Sequence, residues 1–112
     1  MAGISSDVIR GCNDIMILYL LRDNPSYGYE ISKQIKQMSD EKYIIKETTL
    51  YSAFSRMEKN GYVTSFQSSE ENGKKRTYYQ ITDEGRSYYR EKCQEWNLSK
   101  DVIDRFIYKG EE

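Results

Sequence analysis

The last third of the chain carries a seam that its own domain is too small to cover. Tyr89, Cys93, Trp96, Lys100, Ile103 and Ile107 recur at spacings of four, three, four, three and four. Five of the six are apolar or aromatic, and the repeat is heptad-like. Thr82 is placed to cap a helix, and the pattern predicts that helix from Asp83 to about Tyr108. A helix of about 25 residues is ~37 Å long. The remainder of a 112-residue chain forms a body with a radius of gyration near ~13 Å. Most of the helix therefore extends past its own domain. The simplest cover is the same helix from a second copy, in a two-fold dimer.

Composition narrows the function. The length suits one domain and is too short for two independent cores. There is no histidine, which removes the commonest general base and metal ligand. Cys12 and Cys93 make no CxxC pair or metal-ligand cluster. They are expected to be reduced thiols, and a thiol switch at either is the least favoured reading. No enzyme, metal or cofactor is expected. The longest apolar run, Ile15 to Leu21, is seven residues, far short of the ~20 of a membrane span. The N-terminus lacks a signal-peptide pattern. A cytoplasmic protein with no membrane partner is expected. Eleven tyrosines and one tryptophan need a core or a contact surface.

The net charge is −1, but its distribution is uneven. Residues 1–45 carry five basic and six acidic groups, net −1; residues 46–80 carry six and four, net +2; residues 81–112 carry six and eight, net −2. A polyanion site is expected in the middle third.

Along the chain, residues 5–22 read as a helix whose stripe is Ile4, Val8, Cys12, Ile15 and Tyr19. Its second half, IMILYLL, is apolar on nearly every face, which predicts burial on more than one side. Asp23, Asn24 and Pro25 end it. Ser26 is a candidate cap for a second helix over about 27–38, with stripe Ile31, Ile35 and Met38. Gly28 in its first turn is either tolerated or marks close approach by another backbone, protein or phosphate. A third helix runs from about Lys46 to Asn60 and stops at Gly61. At ~100° per residue, Leu50, Phe54 and Met57 form its core stripe. The opposite face holds Thr48, Thr49, Ser52, Ser55, Arg56 and Lys59, with Glu47 and Glu58 on the flank. Short donors and cations without carboxylates suit phosphates and base edges. Strands at Tyr62–Gln67 and Arg76–Ile81 flank an Asn72-Gly73 turn, a β-hairpin whose second limb opens with Lys74, Lys75 and Arg76. Alternation places Tyr79 and Ile81 in the core.

The order helix, helix, helix, hairpin, long helix predicts an α+β, mostly helical fold. It is a winged helix-turn-helix of three helices plus a β-hairpin wing, with a long C-terminal dimerisation helix. Residues 1–82 are expected to form the DNA-binding domain and residues 83–112 the dimerisation helix, in a single compact unit. In this plan the third helix enters the major groove and the wing reaches the flanking backbone. A symmetric dimer would hold two such helices about one turn, ~34 Å, apart on a palindromic operator of double-stranded DNA.

Three blocks also resemble the PadR-like transcriptional regulators: YGYEI at 27–31, TLYSAFSRMEKNGYV at 49–63 and KKRTYYQITDEGR at 74–86. They match that family's GYE, LY-x-x-L-x-x-L-x-x-x-G and Y-x-L-T-x-x-G signatures in order and spacing, and the resemblance covers residues 8–107. Ser52 stands where the family usually has Pro, Phe54 and Met57 replace leucines, and Lys46 occupies a frequent capping position. The resemblance implies that Tyr29 contacts operator phosphate and that Tyr51 reaches backbone beside the recognition face. It also implies that Thr48, Thr49, Ser52 and Arg56 face the groove, and that Lys74, Lys75 and Arg76 reach phosphate or minor groove. Tyr27 is expected to pack against the wing or the first helix.

The single C-terminal helix is like the short-form subfamily, in which it dimerises with the partner's first helix. QEWNLSKDVI at 94–103 is similar to the multidrug-sensing branch. There a tryptophan stacks on flat aromatic drugs at the dimer centre. That resemblance implies planar aromatic ligands between Trp96 and Val8, Cys12, Ile15 and Tyr19, with Lys100 repelling cations if it points inward. From the seam alone, Trp96 is equally an interface anchor. Tyr89, Cys93, Trp96, Ile103 and Ile107 are the expected dimer contacts. Two function classes remain open: a dimeric DNA-binding repressor, and a winged-helix protein-interaction module without DNA binding, which the acidic pI of about 5.6 keeps open.

Overall fold

The computed structural model describes residues 4–69, 73, 75–108 and 110, apart from the side chains at 6 and 7. The N-terminal segment is not one helix. It comprises α1 (Ser6–Ile9), a 3₁₀ turn (Arg10–Cys12) and α2 (Asn13–Leu20). Gly11 lies in open space, so nothing offsets its poor helix propensity, about 1 kcal/mol against alanine. The break brings Asn13 and Asp14 to the buried side. Ile17, Leu18 and Leu21 are the most deeply buried residues of this segment, as its apolar run implies, while Val8 and Tyr19 remain exposed.

Helix α3 (Gly28–Met38) starts at Tyr27, which offers no side-chain cap. The expected cap, Ser26, is used differently. It pairs antiparallel with Tyr79, its N–H donating at 3.0 Å and its carbonyl accepting at 2.7 Å. Satisfying β2 outweighs capping here, because a strand lacking a neighbour leaves two backbone groups unmade. Ile31 and Ile35 are buried, but Met38 is exposed. It belongs to the last turn, which rises off the core.

Helix α4 (Glu47–Lys59) buries Leu50, Ala53, Phe54 and Met57. Gly61 closes it at φ 83°. The Gly61 N–H donates to Glu58 O at 3.1 Å and the Tyr62 N–H to Met57 O at 2.8 Å, the paired closure that a left-handed residue permits. The chain then runs into the hairpin, β1 (Val63–Ser69) against β2 (Lys75–Ile81), with Val63 opposite Ile81 and Ser69 opposite Lys75. At the turn end β1 runs two residues and β2 one residue beyond the expected limbs, while β1 starts one residue later than expected. Gly73 has φ 85°; Asn72 and Lys74 lie outside the described residues. Tyr79 stacks on Phe54 with centroids 3.8 Å apart at 4°, and Ile81 packs against the core. The wing is thus anchored on the helix that precedes it.

Helix α5 runs Asp83–Asp104. The Thr82 hydroxyl accepts from the Gly85 N–H at 2.9 Å and donates to Gly61 O at 2.6 Å, which ties the helix start to the end of α4. Tyr88 and Tyr89 pack against the core. Beyond Cys93 every described residue is exposed. Twenty-two residues make about 33 Å of helix, and the molecule measures 63 × 32 × 21 Å. The helix ends four residues short of the expected limit, in turns of i+3 type: Arg105 N–H to Val102 O at 3.1 Å and Phe106 N–H to Ile103 O at 2.8 Å. Asp101 and Asp104 sit in the last turn without a basic residue there, opposing the helix dipole. Ile107 therefore lies past the helix and not on its seam. Among the described residues no helix is long and apolar enough to cross a membrane.

Candidate nucleic-acid interface

The outward face of α4 is built from short polar side chains. Thr48, Tyr51, Ser52, Ser55, Arg56 and Lys59 line one shallow surface depression, and none is a carboxylate. Thr49 lines a second with Arg10 and Asn13. Glu58, on the flank, accepts from the Ser65 hydroxyl at 2.7 Å and so faces the wing. The core stripe on the other side leaves this face no alternative orientation.

Tyr51 joins this face to α3. A Cβ on Gly28 would overlap the Tyr51 hydroxyl and ring. The close approach at this glycine is by a tyrosine side chain, not by another backbone. Tyr51 also meets Phe54 edge-on, with centroids 5.8 Å apart at 61°. Tyr29, the next residue after Gly28 on α3, is 72% exposed. On the wing side, the Arg76 guanidinium lies 4.0 Å over the Tyr27 ring, and Tyr27 meets Tyr78 at 5.3 Å and 62°. Tyr27 therefore packs on the wing, as expected. Lys75 is exposed at the far end of β2.

Arg56 is held more firmly than a surface cation. Its two terminal nitrogens donate to Asp14 Oδ2 at 2.8 Å and Oδ1 at 2.7 Å. The Tyr88 hydroxyl donates to the same Oδ2 at 2.7 Å. Burial acts to raise the Asp14 pKa, but hydrogen bonds from Arg56 and Tyr88 and the Arg56 and Lys92 charges hold it below its ordinary value. Burial, with the hydrogen bond to Asp14, pushes the Tyr88 phenol up to about 12. The group is therefore carboxylate, guanidinium and neutral phenol near neutral pH.

The expected ligand residues line two hollows that share Ile15. Val8, Cys12, Ile15 and Trp96 share a depression with Lys92 and Glu95, and Trp96 is 45% exposed. Lys92 and Glu95 pair at 2.7 Å. Tyr19 lines the second, largely apolar hollow with Ile15, Met16, Ile35, Met38 and Tyr89, its ring covered by Arg22 at 4.1 Å. Lys100 lines neither hollow. Burial pushes the Cys12 thiol up, against the lowering charge of Lys92, so it has no thiolate character at neutral pH. Of the expected dimer contacts, Tyr89 and Cys93 are half-buried in their own protomer, while Trp96, Ile103 and Ile107 are exposed. Leu98, Val102, Phe106 and Tyr108 are also exposed, Leu98 and Val102 on other sides of α5 from Trp96.

A model of the transcriptional regulator PadR-like family matches residues 17–91. The chain belongs to that family. Its fold is similar to that of a transcriptional regulator from Clostridium thermocellum, 60% identical with a TM-score of 0.86, over 92% of this chain and 100% of that one. It is also similar to a PadR family transcription regulator from Clostridium difficile R20291, 39% identical with a TM-score of 0.71, over 83% and 95% of the two chains. An uncharacterized protein from Lysinibacillus sphaericus is 40% identical over 104 residues, 93% of this chain and 95% of that one. The family is one of transcriptional regulators.

Within this PadR-like framework, sequence reading missed Asp14 and Tyr88. Asp14 precedes Ile17, Leu18 and Leu21 by three, four and seven residues, so it shares their buried face. A carboxylate on a core face must find a cation. That spacing was the available signal; the identity of the cation, 42 residues away, was not in it.

Proposed function

We propose that this PadR-like protein is a cytoplasmic, homodimeric, sequence-specific DNA-binding repressor. Residues 1–82 form the DNA-binding part and residues 83–112 the dimerisation helix. The observation that carries the reading is the α4 face, with four hydroxyls, two cations and no carboxylate in one surface depression. Thr48, Thr49, Ser52 and Arg56 face base edges of a palindromic operator, and Tyr29, Tyr51, Lys74, Lys75 and Arg76 hold its backbone. Replacing Lys74, Lys75 and Arg76 by alanine is expected to weaken binding to all duplexes alike. It should flatten the log–log salt dependence by ~2–3 units, read from anisotropy titrations at several salt concentrations. An unchanged slope removes the wing from the interface. A protein-interaction module without DNA binding would show no steep salt dependence at all.

The dimer groove around Trp96 is the proposed effector site, for planar aromatic ligands that release the operator. Its support is the exposed indole with Val8, Cys12 and Ile15 beside it, in a hollow whose Lys92 and Glu95 charges are paired with each other. Release follows if the ligand favours a dimer in which the two α4 helices are mis-spaced. Trp96 is the only tryptophan. A planar cationic dye is expected to quench its fluorescence saturably at micromolar concentration, an aromatic face contributing ~1–2 kcal/mol. Blue-shifted, unquenched emission assigns Trp96 to dimer packing alone.

A further inference from the structure

Arg56 lies on the proposed DNA face with its side chain 51% exposed, yet it is clamped by Asp14, whose side chain is 9% exposed. Both terminal nitrogens are engaged, at 2.8 and 2.7 Å. The Tyr88 hydroxyl completes the clamp at 2.7 Å. Helices α2, α4 and α5 thus meet on one carboxylate. The Tyr88 ring is fixed in turn by stacking on Tyr62, with centroids 4.0 Å apart at 10°, where α4 gives way to the wing.

An arginine meant only to attract phosphate gains nothing from this arrangement. The carboxylate cancels its charge locally, and a two-pronged pair removes its freedom to follow a backbone. What the clamp supplies is orientation. A guanidinium has five N–H donors in one plane. Asp14 takes one from each terminal nitrogen, and the plane so fixed also orients the other three. A planar donor set in fixed orientation is what reading a guanine edge requires.

We propose that Asp14, backed by Tyr88, is a positioning residue for operator recognition: it holds Arg56 in one orientation for a base edge, lowering general phosphate attraction and raising sequence specificity. The proposal rests on the DNA-binding reading above. It is tested with a duplex that the wild-type protein selects from a random-sequence library, and a scrambled duplex of the same composition. Asp14→Asn keeps the shape of the clamp and removes its charge, freeing Arg56 as a mobile cation. Affinity for the selected duplex is expected to fall about tenfold. Affinity for the scrambled duplex should hold or rise, with the salt slope steeper by about one unit. Arg56→Lys should lose the same affinity for the selected duplex and leave the scrambled one unchanged.

A tie that only stabilises the fold would lower both affinities in parallel and leave the slope alone, and that result overturns the proposal. Should Asp14→Asn fail to fold, Tyr88→Phe keeps the ring stack on Tyr62 and removes one hydrogen bond. The ratio of the two affinities is then expected to fall about threefold. A ratio unchanged in both Tyr88→Phe and Arg56→Lys overturns the proposal as well. If the wild-type protein enriches no sequence, the DNA-binding reading itself fails and the proposal falls with it. Enrichment with ratios that do not move removes the proposal alone.

Discussion

Glutamate at both Val102 and Ile103 is expected to leave the protein folded and monomeric, with operator affinity reduced about 100-fold or more. The two side chains are 41% and 57% exposed within one protomer. They contribute little to its own core, so charging them should not unfold it. In a two-fold interface each substitution counts twice, and Ile103 lies on the same side of α5 as Trp96, so carboxylates would be brought into that interface. An unpaired charge buried there costs several kcal/mol after relaxation. Losing the dimer also makes two half-site contacts independent. Sedimentation velocity at micromolar concentration, with far-UV circular dichroism for helix content, checks the prediction. A folded dimer in the double variant would mean that this surface serves something other than dimerisation.

Phe54→Ala is expected to cost about 3–5 kcal/mol of stability. Phe54 is 1% exposed, lies in the middle of α4, and stacks on Tyr79 at 3.8 Å. Its removal leaves a cavity between α4 and the wing. The face around it cannot collapse easily, because Tyr51 on one side is pinned against Gly28 and Tyr79 on the other is bonded to Ser26 through both backbone groups. Against a typical domain stability of about 5–15 kcal/mol, this is a large fraction. Urea titration monitored by circular dichroism reads it. A cost below about 1.5 kcal/mol would show that α4 and the wing are not joined through this contact.

These two residue sets show where sequence reading is strong. Phe54 falls on a stripe with Leu50 and Met57 at spacings of four and three, and local periodicity dictates the buried face of α4 without any knowledge of its neighbours. The same holds for the hairpin, where alternation put Tyr79 and Ile81 inward, and for Thr82, whose cap depends only on residues three positions away. The α4 face was legible for the same reason: knowing the core side of a helix determines its opposite side.

What was not legible depends on partners distant in sequence. Ser26 looks like a cap locally, but β2 offers it two backbone hydrogen bonds, and Tyr79 is 53 residues away. Arg56 looks like a free cation until Asp14 is brought beneath it by packing α2 across α4. The helix break at Gly11 and the early end of α5 at Asp104 are balances of a kcal/mol or so, smaller than a hydrophobic pattern can resolve. The Trp96 surface was half legible. Val8, Cys12 and Ile15 meet it as the stripe implied, while Tyr19, two turns on from Cys12, opens onto a second hollow that shares only Ile15 with it.

The central claim is that two α4 helices, held by paired α5 helices, read one operator. Hydroxyl-radical footprinting of the wild-type protein on its selected duplex tests this most directly. The account predicts two protected patches related by a dyad and centred about one helical turn apart, ~34 Å. A single protected patch, or uniform protection that vanishes on the scrambled duplex without a dyad, would contradict it.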